Sequence, residues 1–472
     1  MSNPGNEQIT LKELLKKYTD YNSSDEVICP AVWDHLCVNT MGKNRLCCNS
    51  VTTISDNVFL DPTDDTKRIS SEELLKFSRN LKMDGRTLIA ALPFLKHWYD
   101  LREPTRQAMM KGERPSVCQQ CWHKEDMGMR SLRQMFISKY QRRGLWKDFL
   151  DRVERNIIKE TPQELDLKLG NFCNLSCRMC SGFSSSKVSA EYKKIKKETG
   201  VALGNDYEMN LKVLPWYDWP EFLNLLYYFI DNGVRSIKFT GGEPLMVPNV
   251  RKVIEYCIET DKAKDLEFQI ITNMTLLDES WMNLFKEFKR VSINASIDGI
   301  GKTYEYIRKN ANWIDVLKNL ENLSNHENAH VHDKIINKKI ETNENKAIMQ
   351  NITFTLSIYN ILEAKNIIDL RRKLGCYLTC IPVFTPEYLD VKYAPELLKE
   401  DAIEILDNID FMNTTEQDFI KDMKAKITEK VDDTGHYHKV KDMQERVVEV
   451  SLLRDKFRDQ NWHDQDIAKY YS

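Results

Sequence analysis

Twelve cysteines stand out in this chain. Seven fall in three tight groups, Cys47-Cys48, Cys118-Cys121 and Cys173-Cys177-Cys180, while Cys29, Cys37, Cys257, Cys376 and Cys380 are scattered. The run CNLSCRMC, Cys173 to Cys180, has the spacing C-x3-C-x2-C. Clustered thiols in a reducing compartment bind metal or do redox chemistry more often than they form disulfides. Three thiolates on so short a loop can each hold one iron of a cubane cluster and leave the fourth iron without a protein ligand. That iron is then open to a substrate or cofactor.

A second signal is Gly241-Gly242-Glu243-Pro244, which holds the only adjacent glycine pair among 17 glycines. A pair without side chains lets a ligand approach the backbone, and the carboxylate beside it suits an amine. The elements that must position these groups are legible too. Leu165 to Gly170 alternates like a strand, and the cysteines follow on a loop leading into a helical stretch from Ser184 to Lys197. The GGEP run ends the strand-like Ser236 to Thr240. Further strands are expected at Leu266 to Thr272, Arg290 to Ile297, Ile352 to Ser357 and Leu378 to Phe384. Helical patterns lie near 219–232, 249–260, 279–289, 312–323 and 361–373. Chemistry at the C-terminal ends of parallel strands is where α/β folds keep their sites.

C-x3-C-x2-C followed by GGEP resembles the radical S-adenosylmethionine (radical SAM) superfamily. The resemblance implies an α/β fold, a partial (β/α)6 TIM-like barrel over 160–390, with a small α+β module before it and a helical region at 391–472 after it. It further implies that Cys173, Cys177 and Cys180 ligate a [4Fe-4S] cluster whose open iron takes S-adenosylmethionine (SAM). Met179 matches the position near the adenine, with ordinary loop packing as its other reading. Gly241, Gly242 and Glu243 match the motif for the methionine amino group. Ser296, Asp298 and Arg308 match positions that hold the ribose and carboxylate, and an Arg fork suits a carboxylate. Asn273 is a further candidate, with a turn-forming role as the alternative. The implied activity is reductive cleavage of SAM to a 5′-deoxyadenosyl radical that takes a hydrogen atom from a peptide, protein or small-metabolite substrate. Such a protein is oxygen-sensitive and needs an electron donor such as flavodoxin or ferredoxin.

Residues 25–50 read DEVICPAVWDHLCVNTMGKNRLCCNS. Strand-like His35 to Thr40, a turn at 41–44 and strand-like Arg45 to Asn49 suggest a hairpin. The spacing Cys29-x12-Gly42-x4-Cys47, followed by Cys118-x2-Cys121, resembles the superfamily's auxiliary-cluster module, called SPASM or twitch. Here the module, residues 1–150, would precede the barrel, whereas in most relatives it follows. Cys29, Cys47, Cys118 and Cys121 would then enclose a second [4Fe-4S] cluster with no open iron. A structural Zn2+ is the alternative for this donor set. Strand alternation would point Cys48 away from Cys47, leaving it spare.

The composition agrees with a globular protein: 472 residues, 42% hydrophobic and 29% charged. With 68 Lys+Arg against 71 Asp+Glu there is no global basic field to gather nucleic acid or an anionic membrane. Nothing in MSNPGNEQIT resembles a signal peptide, and the longest apolar run, Phe222 to Ile230, is half a membrane span, so a cytoplasmic location is expected. An RNA-modifying radical SAM protein and a catalytically silent, metal-stabilised binding module are the competing readings. Cys257 reads as core, and Cys376 and Cys380 as buried packing around the sixth strand. His326, His330 and His332 sit in a polar insertion, 324–347, read as a solvated loop. Lys193, Lys194, Lys196 and Lys197 read as a solvated helix face. Residues 71–149 read mainly as amphipathic helix, and 395–409, 415–428 and 440–458 as a charged helical cap.

Overall fold

The computed structural model describes residues 27–50, 53–57, 60–61, 64–68, 93–155, 161–204, 215–218, 220–336, 339–343, 347–431 and 436–471. The N-terminal decapeptide and the part of the expected amphipathic helix at 71–92 lie outside them. Two compact units divide the chain, residues 1–167 with 219–236, and residues 168–218 with 237–472.

In the first unit, β1 (His35–Val38) and β2 (Lys43–Arg45) form an antiparallel hairpin pairing Cys37 with Arg45 and Val38 with Asn44. Its turn is fixed locally. Asn39 Oδ1 accepts from the backbone N–H of Met41 at 2.9 Å and of Lys43 at 3.0 Å, and Gly42 takes φ +76°. The strand β3 (Glu164–Leu169) runs parallel to β1, with Cys37 opposite Asp166. Four helices carry the rest: α1 (Pro93–Met110), α2 (Gln119–Asp126), α3 (Leu132–Arg142) and α4 (Trp146–Glu154). The start of α3 is set by a capping box between Ser131 and Gln134. Ile28, Val32, Trp33, Leu46, Phe149 and Leu150 make the core. Within it the buried Asp34 carboxylate meets Arg152 at 2.6 Å and accepts from the Tyr140 hydroxyl at 2.9 Å.

One expectation fails here. β2 stops at Arg45, so Cys47 and Cys48 lie on the turn after the strand, where Ser50 donates through both N and Oγ to the Cys47 carbonyl. Strand alternation therefore says nothing about which of the two thiols faces inward.

The second unit is built on parallel strands: β4 (Ser236–Gly241, its first residue in the other unit), β5 (Glu267–Thr272), β6 (Arg290–Ser296), then β9 (Ile348–Leu356) and β10 (Tyr377–Pro382). β5, β6, β9 and β10 follow one another in the sheet, with Ala295 between Thr272 and Ile352 and Phe354 beside Cys380. One face is apolar (Phe268, Ile270, Ile293, Ile352, Phe354) and packs under helices; the opposite face carries Gln269, Asn294, Asn351 and Thr379. The helices alternate with the strands as the sequence pattern predicts: α5 (Ser186–Thr199), α6 (Pro248–Glu259), α7 (Glu279–Phe285), α8 (Gly301–Ile307), α9 (Trp313–Asn325) and α10 (Ala364–Leu374). Cys257 is buried in α6, and Cys376 and Cys380 are buried around β10. The expected solvated loop at 324–347 is instead a hairpin, β7 (Ala329–Ile336) with β8 (Lys339–Asn343), and β7 adds in parallel to the start of β9. His332 stacks on Tyr377 at 4.6 Å and His330 is buried, so these imidazoles pack the sheet edge. Three helices close the chain, α11 (Glu396–Asp407), α12 (Thr414–Ile427) and α13 (His436–Arg458). Among the described residues no helix is long and apolar enough to cross a membrane.

Candidate functional site

The loop after β3 is shaped by its own polar side chains. Asn171 Nδ2 donates to the Gly182 carbonyl at 2.9 Å and Ser185 Oγ donates to that of Leu175 at 2.8 Å while capping α5 at Val188. Ser176–Cys177 pairs antiparallel with Arg308–Lys309, placing Cys177 opposite Arg308. Cys173 and Cys177 are buried and Cys180 is half-buried, and Met179 packs on the same group with Leu175 and Ala311. Burial pushes the Cys173 thiol up to about 11 and Cys180 up to about 12, and the neighbouring thiols raise both further. Three mutually close thiols that resist ionising without a cation fit a metal cluster as their partner.

The glycine pair does a different job from the one expected. A Cβ on Gly242 would lie 2.0 Å from the Phe172 carbonyl oxygen, and one on Gly241 (φ +139°) would lie 2.7 Å from that of Leu169. The space above these glycines is filled by the chain's own backbone, so they seat the cysteine loop on β4 rather than leave room for a ligand. The Glu243 N–H donates to the same Phe172 oxygen at 2.9 Å. Glu243 is buried; Oε1 accepts from Thr272 Oγ1 at 2.8 Å and Leu245 N at 3.2 Å, and Oε2 accepts from Asn273 N at 2.8 Å. Burial nevertheless wins and raises its carboxyl to about 7. Asn273 reaches the loop directly, its Nδ2 donating to Asn174 Oδ1 at 2.8 Å.

Arg308 is engaged within the protein. Its guanidinium lies 2.5 Å from the fully buried Asp298 carboxylate and 3.6 Å from Cys177 Sγ. Burial alone would depress it, but Asp298 and then Cys177 more than offset that and hold it charged. Asp298 also accepts from Thr355 N at 2.8 Å. Ser296 ends β6 beside Thr353 and is half-buried.

A buried ionic network under the loop has no counterpart in the sequence reading. Glu191 on α5 meets Arg454 at 2.7 Å and Arg458 at 2.6 Å, and accepts from Ser176 Oγ at 2.5 Å. Arg454 Nη1 donates to the Arg178 carbonyl at 2.9 Å, and Arg458 Nη2 to Ser176 Oγ at 3.1 Å. Arg178 is fully buried, paired with Asp455 and lying 3.7 Å above the Tyr306 ring. Burial raises the Glu191 carboxyl, but Arg454 and Arg458 overcome it and hold the group down to about 2. The partners are more than 260 residues apart in sequence, so only the i, i+4 spacing of Arg454 and Arg458 hinted at a shared face.

In the first unit, Cys29, Cys47, Cys118 and Cys121 line one cavity together with Arg133 and Phe136. Burial raises all four thiols, and close thiol neighbours add to the rise at Cys29, Cys47 and Cys118. Arg133 is held by Glu125 at 2.7 Å and lies 5.1 Å above the Trp122 ring. Four buried thiols around one cavity are a donor set for a closed metal site. Cys48 does not line that cavity. Separately, His35, Cys37 and Asp166 bring an imidazole, a thiol and a carboxylate within 4.8 Å of one another.

Residues 167–351 match the model of the Radical SAM superfamily, so the chain carries a radical SAM domain and belongs with that superfamily. Such a domain works with a [4Fe-4S] cluster and SAM. The chain is 30% identical to an uncharacterised protein of Methanocaldococcus jannaschii over 29% of this chain and 39% of the relative. It is 24% identical to the radical SAM cyclopropyl synthase TigE of Paramaledivibacter caminithermalis over 46% of this chain and 44% of the relative. It thus spans well under half the length of either. A solved structure of native anSMEcpe with bound AdoMet and Cp18Cys peptide is similar at TM-score 0.33 and 17% identity, over 51% of this chain and 57% of that one.

Proposed function

We propose that this chain reductively cleaves SAM and abstracts a hydrogen atom from a peptide, protein or small-metabolite substrate, assisted by an auxiliary cluster in its first unit. The observation that carries this reading is the convergence of Cys173, Cys177 and Cys180 with Glu243 and the Arg308–Asp298 pair at one end of the parallel strands. When bound, the cluster and SAM supply the one-electron chemistry that yields a 5′-deoxyadenosyl radical. The protein's own residues hold and orient. The three thiolates are cluster ligands. Glu243, whose two oxygens already accept three hydrogen bonds, keeps lone-pair capacity for an ammonium group and is fixed in orientation by Thr272 and Asn273. Arg308 stabilises the Cys177 thiolate, and Asp298 fixes the guanidinium in place.

Cys29, Cys47, Cys118 and Cys121 are the ligands of the auxiliary site. The absence of a non-thiol donor from this set favours an iron–sulfur cluster, and Zn2+ is the competing occupant. The name of TigE, a cyclopropyl synthase, supports radical chemistry at an unactivated carbon as the reaction class. Metal analysis of anaerobically reconstituted protein tests the two-site reading. About eight irons per chain is expected, whereas about four irons with one zinc would replace the auxiliary cluster by a structural zinc.

A further inference from the structure

Four guanidinium groups surround the Ser176–Cys177–Arg178 segment: Arg178, Arg308, Arg454 and Arg458. Three carboxylates pair with them, Asp455 with Arg178, Asp298 with Arg308, and Glu191 with both Arg454 and Arg458. One positive charge is left over, and it belongs to the pair on α13. Buried donors also remain after the pairing. Arg454 Nη2, Arg458 Nη1, Arg178 Nη1 and Arg308 Nε have no hydrogen-bond partner in the protein, although all four side chains are nine-tenths or more buried. Burying a charged donor without an acceptor is costly. Four such donors around one cysteine mark the surroundings of an anion. Arg308, Arg458 and Arg454 are the cations whose fields favour the Cys177 thiolate.

We infer that Arg454 and Arg458, on the C-terminal helix α13, are charge-setting positioning residues of the cluster loop: they raise the reduction potential of the group held by Cys173, Cys177 and Cys180. The inference rests on the assignment of those thiols as cluster ligands. Its physical basis is that a thiolate-ligated cluster is anionic and gains a further negative charge on reduction, so an uncompensated buried cation beside a ligand stabilises the reduced form. Arg454 and Arg458 act through the backbone, gripping the residues on either side of Cys177, and through their field. They do not touch the reacting atoms. The C-terminal helix thereby belongs to the cofactor machinery of a domain whose motifs lie more than 200 residues earlier in the chain.

The test is the midpoint potential of the cluster, followed by electron paramagnetic resonance in full-length, anaerobically reconstituted protein, with iron counted in the same samples. Arg458→Gln, which keeps a hydrogen-bonding amide but removes the charge, should move the potential negative. Arg458→Lys, which keeps the charge but loses the fork, should stay near wild type. Glu191→Gln removes the compensating carboxylate and should move the potential positive. Opposite signs at Arg458 and Glu191, two partners of one ion pair, are not produced by loosening of the loop. Comparison of the same signal in a Cys118→Ser background separates it from that of the auxiliary site. Should Arg458→Gln and Arg458→Lys lower iron loading alike while the loaded fraction keeps the wild-type potential, the role is packing alone and the inference is overturned. Wild-type protein that holds no iron dependent on Cys173 overturns the ligand assignment, and the inference with it.

Discussion

The two cysteine sites use one side-chain chemistry in opposite ways. In the second unit three thiols sit on eight consecutive residues, and the neighbouring guanidinium groups, Arg308 above all, bias them toward the thiolate. In the first unit four thiols arrive from three separate segments, at Cys29, at Cys47 and at the start of α2, into a cavity whose cation, Arg133, is tied to Glu125. Three ligands on one loop leave a coordination position open for a reacting partner. Four ligands from distant segments close the shell and cross-link the fold. The difference teaches that the same residue builds a catalytic centre where the backbone is preorganised around it, and a staple or electron store where it draws segments together.

This comparison can be broken by unequal mutations. The largest separation is expected for Cys118→Ser with Cys121→Ser. Iron should fall from about eight to about four per chain, while SAM cleavage at the loop persists. The first unit should also lose stability by several kcal/mol, on the order expected for loss of a structural metal. Equal loss of both irons and cleavage would merge the two sites into one. Next in size is Gly242→Ala, because its Cβ would overlap the Phe172 carbonyl at 2.0 Å. A destabilisation of about 1–3 kcal/mol is expected, with SAM affinity falling through displacement of the loop. Thermal unfolding and equilibrium binding measure the two separately, and an unchanged affinity would detach the glycines from the site.

A smaller effect concerns pH. With its carboxyl raised to about 7, Glu243 is largely protonated below that value and accepts an ammonium only once ionised. SAM affinity should therefore tighten as pH rises through 7, and Glu243→Gln should flatten the profile at the weaker limit. The sign for stability is the reverse. An acid raised on folding contributes stability below its unfolded value near 4.5 and loses that contribution as pH climbs toward 7. Glu191 runs the other way. Held down to about 2, it contributes stability above 4.5 that is lost as acid takes the pH below that value. Acid unfolding of the second unit should accordingly begin at higher pH in Glu191→Gln than in wild type, and coincident transitions would contradict the network.

How much of this could be read from the sequence depended on how local the information was. Each parallel strand fell within a few residues of its expected place, because alternating burial along a strand is written in consecutive residues. The cysteine loop was legible for the same reason. The four-cysteine set was legible only through glycine and cysteine spacing around one hairpin, which does not say that Cys47 lies on a turn rather than a strand. The hairpin at Ala329–Asn343 was missed because its polar side chains suit a loop equally well, and its strand pairing comes from β9. The arginines of α13 could not be seen at all. Their partners Glu191 and Arg178 are set by tertiary packing, and nothing local distinguishes a buried arginine from a solvated one.

The central claim is that the loop of Cys173, Cys177 and Cys180 performs reductive cleavage of SAM. The direct measurement is formation of 5′-deoxyadenosine from SAM by anaerobically reconstituted full-length protein under dithionite, in wild type and Cys177→Ala. The account predicts product from wild type and none above background from the variant. Equal rates from the two, or no product from iron-loaded wild type, would contradict it.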